Sequence, residues 1–211
     1  MSIDLSKVVG WSDPVRGNVV QITDASGRVI WSANKTVNVV YLRPSADISV
    51  GHSLNPADST SAYMLVNEEV DDNTATYIYT TLPSGDGIES GTSKFELPYD
   101  KVLKANSITS GRIVATFMTS YVNQLVRRTD LIINGVEYNC PIVGEVDGSL
   151  GACEFDITDC LAIINANLTS EGKLPSLSIC VGASGYCSSS KNDGYIRIGQ
   201  VYLELNGEFV V

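Results

Sequence analysis

The chain has 211 residues, of which 44% are hydrophobic and only 18% are charged, and its formal net charge is −10. This length and hydrophobic content suit one large domain, or one domain with a small appendage. The negative charge argues against nucleic-acid and anionic-membrane partners, because like charges repel. No stretch approaches the roughly 18 apolar residues of a membrane-spanning helix, and the first residues lack the basic and apolar regions of a secretory signal.

The N-terminal segment, residues 1–35, is predicted to form a unit of its own. Two short apolar stretches, 19–24 and 28–32, flank a glycine-containing turn, which predicts a β-hairpin. An isolated hairpin is only marginally stable in water. We therefore expect it to pack on its own domain or to dock, as an arm, on another chain. The candidate assembly contacts are its apolar side chains Trp11, Ile30 and Trp31.

From residue 36 onward, short apolar stretches with a two-residue period predict β-strands. In the first of them, 36–42, Val37, Val39 and Tyr41 share one face. The other predicted strands are 75–82, 94–98, 111–122, 130–140, 153–157, 174–184 and 195–205, and the main predicted loops between strands are 84–93 and 185–194.

Two Asn-Gly pairs, Asn134-Gly135 and Asn206-Gly207, are predicted to be hairpin turns. Both central residues of a type I′ turn need a positive φ, which these residue types adopt most easily. Along 195–205 the apolar phase changes at Gly199, and such a change is typical of a β-bulge.

Helical spacing of apolar residues occurs in two places. Residues 61–70 predict one or two helical turns. A second, clearer helix is predicted downstream, with Thr158 or Asp159 as its N-terminal cap. The apolar stripe of that helix consists of Ile157, Leu161, Ile164 and Leu168.

This pattern predicts an all-β fold, because about ten short strands alternate with turns and long helices at regular spacing are absent. We expect a jelly-roll-like antiparallel β-sandwich over residues 36–211, with one or two short helices. The N-terminal β-hairpin arm would precede it in residues 1–35.

Three segments resemble a family of phage and prophage virion surface proteins. They are YLRPSADISVGHSL (41–54), AYMLVNEEVDDNTATYIYT (62–80) and SSSKNDGYIRIGQVYLEL (188–205). The resemblance implies a jelly-roll, galactose-binding-like β-sandwich in a phage tail, baseplate or head decoration. It carries no catalytic residues over to this chain.

The function implied by this resemblance is that of a structural virion subunit, acting through protein–protein contacts with other virion proteins and with copies of itself. Such a protein would be assembled in the host bacterial cytoplasm, where no secretory signal is needed. The alternative is a glycan-binding module that helps a particle adhere to its host.

Catalysis is not predicted. Nucleophilic catalysis needs a base beside the nucleophile, and the single histidine, His52, is not accompanied by a G-x-S-x-G motif. A glycosidase would need two carboxylates facing each other across a sugar. The densest acidic cluster, Glu68, Glu69, Asp71 and Asp72, is contiguous in sequence and is more typical of a solvated loop.

No cofactor is predicted, and metal binding has only weak candidates. Glu68, Asp71 and Asp72 offer the oxygen ligands that Ca²⁺ prefers, but they lack the spacing of an EF-hand loop. The five cysteines form no CxxC pair, which argues against a zinc site. Half-buried, unpaired cysteines are expected, with a Cys180–Cys187 disulfide as the alternative.

Sugar binding needs exposed aromatic rings and polar side chains around them. The chain has ten tyrosines, and Tyr186 lies in the predicted Ser/Lys/Asn-rich loop 185–194, so it is the candidate sugar platform. The ten tyrosines also include Tyr77, Tyr79, Tyr121 and Tyr195. The alternative is that these tyrosines are ordinary strand or rim residues.

Overall fold

Two antiparallel β-sheets account for most of the computed structural model, which describes residues 21–23, 29–32, 36–67, 76–84, 87–98, 102–144 and 150–210. The strands and helices are β1 (Gln21–Thr23), β2 (Val29–Ser32), β3 (Thr36–Leu42), β4 (Ala46–Ser49), β5 (Ser53–Asn55), α1 (Ala62–Val66), β6 (Tyr77–Leu82), β7 (Gly87–Glu96), β8 (Val102–Ser120), β9 (Val122–Ile133), β10 (Val136–Cys140), β11 (Leu150–Asp156), α2 (Thr158–Ala166), β12 (Leu177–Cys187) and β13 (Gly194–Val210).

The sheet that we call the front sheet has six strands, in the order β11-β8-β13-β6-β5 with β3 also paired to β13. The back sheet has five strands, in the order β10-β9-β12-β7-β4. All pairings are antiparallel. The predicted all-β sandwich is therefore confirmed. In the described residues, no helix has the length and apolar character needed to cross a membrane.

The core lies between the inner faces of the two sheets. Phe117 of β8 and Phe155 of β11 are fully buried, with ring centroids 6.5 Å apart. Phe95 and Ile179 come from the back sheet and are also fully buried. In β3 the predicted shared face of Val37, Val39 and Tyr41 is divided, because Val37 packs against the core whereas Tyr41 is 56% exposed. Val40 and Leu42 are buried in the core.

Two of the three predicted turn and bulge features are confirmed. Asn134 and Gly135 have φ angles of 50° and 83°, and they join β9 to β10. The β13 register shifts between Ile198 and Val201, as a bulge at Gly199 requires. The predicted turn at 206–207 is wrong: β13 runs on to Val210, because β8 and β3 pair with it on its two sides.

Both main predicted loops are partly strand. Gly87 already belongs to β7, and β12 continues to Cys187. The two extensions pair with each other, since Tyr186 lies opposite Gly87 and Gly185 opposite Ile88. Backbone pairing thus overrides the weak strand preference of these Gly- and Ser-rich stretches.

The two helices occur where they are predicted, but their N-termini are stabilised differently. The carboxylate of Asp47 in β4 accepts the N–H groups of Ala62 and Tyr63 at 2.8 and 2.7 Å, at the start of α1. In α2 neither predicted cap makes a side-chain bond to the helix N–H groups. Instead Asp156 accepts the N–H and the hydroxyl of Thr158, at 2.9 and 2.6 Å. Those bonds lower the pKa of Asp156.

The N-terminal hairpin is confirmed by the pairing of β1 with β2, in which Ile22 lies opposite Trp31. These two strands form a separate sheet and pair with neither sheet of the sandwich. Trp11 lies outside the described residues, as do the side chains of Ile30 and Trp31. The assembly role of these three residues stays a prediction.

Candidate functional site

The outer surface of the front sheet carries a group of tyrosines around one arginine. In β6 and β13, Ile78 and Ile196 are buried against the core. Because side chains alternate along a strand, the residues beside them point outward. These are Tyr77, Tyr79, Tyr195 and Arg197, all half-buried, and we refer to them as the tyrosine–arginine cluster.

Arg197 is the centre of this cluster. Its guanidinium carbon lies 4.3 Å from the ring centroid of Tyr77 and 4.2 Å from that of Tyr195. Both distances are well within the roughly 6 Å range of cation–π attraction. Tyr79 meets Tyr77 edge-on, with centroids 5.8 Å apart and an interplanar angle of 72°. The four side chains therefore hold one another in position.

The described strand partners of the cluster are uncharged. Arg197 lies opposite Tyr79 in β6 and opposite Met118 in β8, and Tyr195 lies between Thr81 and Ser120. On the far side of β6, Tyr77 and Tyr79 lie opposite Asn55 and Ser53. In the part of the chain that the structure describes, no ion pair joins Arg197 to a carboxylate. The rim thus offers hydroxyl and amide groups, whereas the centre offers a cation.

The other end of the same face is built differently. Arg112 of β8 bonds Glu154 at 2.6 Å and Glu204 at 3.0 Å. Those two carboxylates raise the pKa of Arg112 above its ordinary value. Nearby, Arg43 lies 5.0 Å above the ring of Tyr202. The charge of Arg112 is therefore neutralised within the sheet, unlike that of Arg197.

The outer face of the back sheet also pairs its charges. Lys94 bonds Glu137, and the contact raises the pKa of Lys94 and lowers that of Glu137. Arg128 bonds the buried carboxylate of Asp130 at 2.8 Å. Asn139 donates a further bond to Asp130 at 3.2 Å. These described charges of the back sheet are therefore paired within the chain.

Tyr186, the candidate sugar platform, is a strand residue rather than a loop residue. It lies near the end of β12, opposite Asn123 of β9, and is 43% exposed. Tyr121, which joins β8 to β9, is 51% exposed and has a φ of 55°, an uncommon value for a residue other than glycine. Ser120, the residue before it, pairs with Tyr195. Tyr186 and the tyrosine–arginine cluster thus belong to different sheets at the same end of the sandwich.

His52 is part of a buried pair rather than of an open catalytic site. Its Nδ1 lies 2.7 Å from the hydroxyl oxygen of Ser93. His52 is 7% exposed and Ser93 is completely buried. Burial lowers the pKa of His52 to about 4, and its Nε2 has no hydrogen-bond partner in the described structure. The Ser93 hydroxyl is therefore enclosed by the protein and bonded to the imidazole.

Metal ligands do not gather in the described part of the chain, where no three His, Cys, Asp or Glu side chains converge. The calcium candidates Glu68, Asp71 and Asp72 lie outside that part, so they stay predictions.

All five cysteines are buried free thiols. Cys180 and Cys187 lie on the same strand, seven residues or about 23 Å apart at a rise of roughly 3.3 Å per residue. A disulfide needs Cα atoms less than about 7 Å apart, so the structure contradicts the Cys180–Cys187 alternative. The thiol of Cys140 instead contacts that of Cys160, and this bond, together with burial, raises the pKa of Cys140 far above its ordinary value.

Arg197 is the site residue that the sequence interpretation missed. The signal was present, because Tyr195-x-Arg197 and Tyr77-x-Tyr79 each place two outward residues on one strand face. Only the pairing of β6 with β13 brings these two short patterns together.

No protein-family model and no curated protein matches the sequence. Among solved structures, the chain is similar to a family 30 carbohydrate-binding module, with 11% identity, a TM-score of 0.34, and coverage of 81% of this chain and 83% of that one. A module of the same family from a Clostridium thermocellum cellulosomal cellulase gives 11% identity, a TM-score of 0.33, and coverage of 81% and 92%. A further family 30 module has 11% identity and a TM-score of 0.35, and the match covers 79% of this chain and 98% of that one. Likeness at this level is not evidence of a shared ligand.

Proposed function

We propose that this protein is a glycan-binding β-sandwich that uses the outer face of the front sheet. The observation that carries the proposal is the tyrosine–arginine cluster, in which three half-buried tyrosines and Arg197 form one surface. Tyrosine rings contact the C–H groups of a sugar ring and also supply a hydroxyl that accepts or donates hydrogen bonds. The cluster therefore combines the two kinds of contact that a sugar needs.

The rim of the cluster supports the same proposal. Ser53, Asn55, Thr81 and Ser120 lie at neighbouring positions of the same face. Their hydroxyl and amide groups are matched to the many hydroxyls of a sugar, since each offers both donor and acceptor capacity. Binding sites of this kind combine aromatic contact area with a few placed polar groups.

Alanine substitution of the tyrosines tests the proposal. The full chain is applied to a glycan microarray, and the affinity of each hit is then measured by calorimetry. Tyr77→Ala and Tyr195→Ala should each weaken binding by about 5- to 30-fold, as expected for losing 1–2 kcal/mol of aromatic contact. Tyr41→Ala is the matched control, because Tyr41 is also an exposed tyrosine of the front sheet but lies at its other end.

Tyr186 remains a separate proposal, which the same experiment decides. If the cluster binds the glycan, Tyr186→Ala should leave the affinity within about 2-fold of the unmodified protein, because Tyr186 belongs to the back sheet. Loss of binding in this variant alone would move the site to the surface around Tyr121 and Tyr186.

A second candidate function is that of a structural virion subunit, and one observation favours it. Among the described residues, the strands of the β1–β2 hairpin form a separate sheet and pair with each other alone. Such an appendage suits an arm that docks on a neighbouring subunit, with Trp11, Ile30 and Trp31 as its proposed contacts. The two functions are compatible, since a particle-bound sandwich would present the front sheet to a host glycan.

A further inference from the structure

We infer that the glycan bound by this protein carries a carboxylate, as a uronic or sialic acid does, and that Arg197 binds it. This inference rests on the proposed function, because it names the ligand class of the same surface. Its basis is the contrast between two arginines on one sheet face. Arg112 is bonded to two carboxylates of its own chain, whereas Arg197 is flanked by tyrosines and has no carboxylate partner in the described residues.

The setting of Arg197 within an acidic protein supports the inference. The chain has 24 acidic residues against 14 lysines and arginines. Four basic side chains of the described residues, Lys94, Arg112, Arg128 and Lys173, bond carboxylates of this chain. Around Arg197 the neighbouring positions instead hold Tyr79, Met118 and uncharged rim residues. A ligand carboxylate would therefore find the cation without displacing a carboxylate of the described face.

The tyrosines also hold the guanidinium in a defined place. Tyr195 precedes Arg197 by two residues along β13. Tyr77 lies on the other side of Arg197, because Arg197 pairs with Tyr79 and Ile198 with Ile78. With rings on both flanks, the guanidinium loses less side-chain entropy when a ligand binds, and its N–H edge stays available. That edge matches the two oxygens of a planar carboxylate.

The charge of the cluster favours a sugar with isolated carboxylates over a polyanion. The tyrosine–arginine cluster contains one cation, Arg197, and the chain as a whole has a net charge of −10. A densely sulfated or phosphorylated polymer would be repelled by the rest of the surface. A glycan with isolated carboxylates gains the bidentate contact and meets little of that repulsion.

The test uses the full chain on a microarray that pairs uronic- and sialic-acid oligosaccharides with their carboxyl-reduced, neutral counterparts. We expect the acidic member of a pair to bind about 10-fold more tightly, which corresponds to about 1.4 kcal/mol, because a hydrogen bond between two charged groups is stronger than one between neutral groups. The uronic and sialic arms identify which sugar supplies the carboxylate. The preference for the acidic member should weaken as the salt concentration is raised, because salt screens the attraction between the two charges.

Two substitutions complete the test. Arg197→Gln should abolish the preference for the acidic member, and circular dichroism establishes that the variant is folded. Lys191→Gln is the matched control, because it removes the same charge from an exposed loop and should leave the preference unchanged.

The outcomes separate this inference from the proposed function. Equal binding of acidic and neutral members, or an unchanged preference in Arg197→Gln, overturns the role of Arg197 but leaves glycan binding standing. Binding to neither kind of member overturns the proposed function and, with it, the inference.

Discussion

The imidazole Nδ1 of His52 lies 2.7 Å from Oγ of Ser93, and the Ser93 oxygen also accepts the N–H of Gly51 at 3.2 Å. The histidine is buried beside β7, and it has no hydrogen-bond partner for Nε2 among the described residues. Protonation would place a charge on a ring that water cannot reach. The pKa of His52 accordingly falls from 6.5 to about 4.

This burial predicts an acid-dependent loss of stability. Between pH 6.5 and about 4 the unfolded chain binds a proton at His52 and the folded chain does not. The free energy of unfolding therefore rises with pH in this window and is level above it. The contribution of His52 that is lost on going from pH 7 to pH 4 is at most about 3 kcal/mol. Urea unfolding at several pH values measures it.

The matched variant for this prediction is His52→Asn, which keeps a polar group near Nδ1 but does not titrate. Its stability should fall less between pH 7 and pH 4 than that of the unmodified protein, the rest of the fall being due to carboxylates. Identical pH profiles for the two proteins would show that His52 is not buried as a neutral ring.

The close approach of two backbone segments beside this pair predicts a strict need for glycine. A Cβ on Gly91 would lie 2.1 Å from the carbonyl oxygen of Gly51, which is closer than any real contact. Because the obstacle is backbone rather than a flexible side chain, Gly91→Ala should lower the free energy of unfolding by about 1–3 kcal/mol or more.

Gly151→Ala is the control for this substitution, since a Cβ there meets nothing within 4 Å. It should leave stability unchanged or raise it by up to about 1 kcal/mol, because alanine restricts the unfolded chain. Thermal unfolding followed by circular dichroism compares the two variants. Equal effects of both substitutions would contradict the tight packing of Gly51 on Gly91.

The thiols provide a test of the core. The five cysteines are between 0% and 3% exposed, and they are free. Under native conditions an aromatic disulfide reagent should modify them at least about 100-fold more slowly than in guanidinium chloride, because reaction requires opening of the fold. Rapid modification of Cys180 or Cys140 in the native protein would contradict the sheet packing around that residue.

Removal of residues 1–35 tests the independence of the sandwich. In the described structure β1 and β2 pair with each other and with no strand of the sandwich, so the 36–211 fragment should unfold cooperatively in urea. We expect its free energy of unfolding to lie within about 1 kcal/mol of the full chain, as for changes away from the core. Failure of the fragment to fold would mean that the hairpin completes the sandwich instead of serving as an arm.

The sequence was most informative where one short stretch decides the local structure. The Asn134-Gly135 turn depends on two positive φ angles, and both are observed. The bulge at Gly199 depends on a phase change within one strand. The same reasoning failed at 206–207, where an identical residue pair continues a strand because neighbours on both sides supply hydrogen bonds.

The site was harder to predict, because it depends on which strands become neighbours. Alternation along a strand puts Tyr77 on the same face as Tyr79 and Tyr195 on the same face as Arg197, but neither short stretch shows that β6 pairs with β13. In the same way, nothing local indicated that Asp47 caps α1 or that His52 reaches Ser93. Each of these contacts joins residues far apart in the chain.

By itself, the sequence determined that the protein is built of alternating apolar strands, because a period of two residues is a property of neighbours along the chain. It also determined the acidic surface and the scarcity of charged side chains. Only the tertiary structure decided which outward face gathers tyrosines around an arginine, and which charges are neutralised. Those outcomes follow from strand order and register. The fold adopts the order and register that bury the apolar faces of all the strands together.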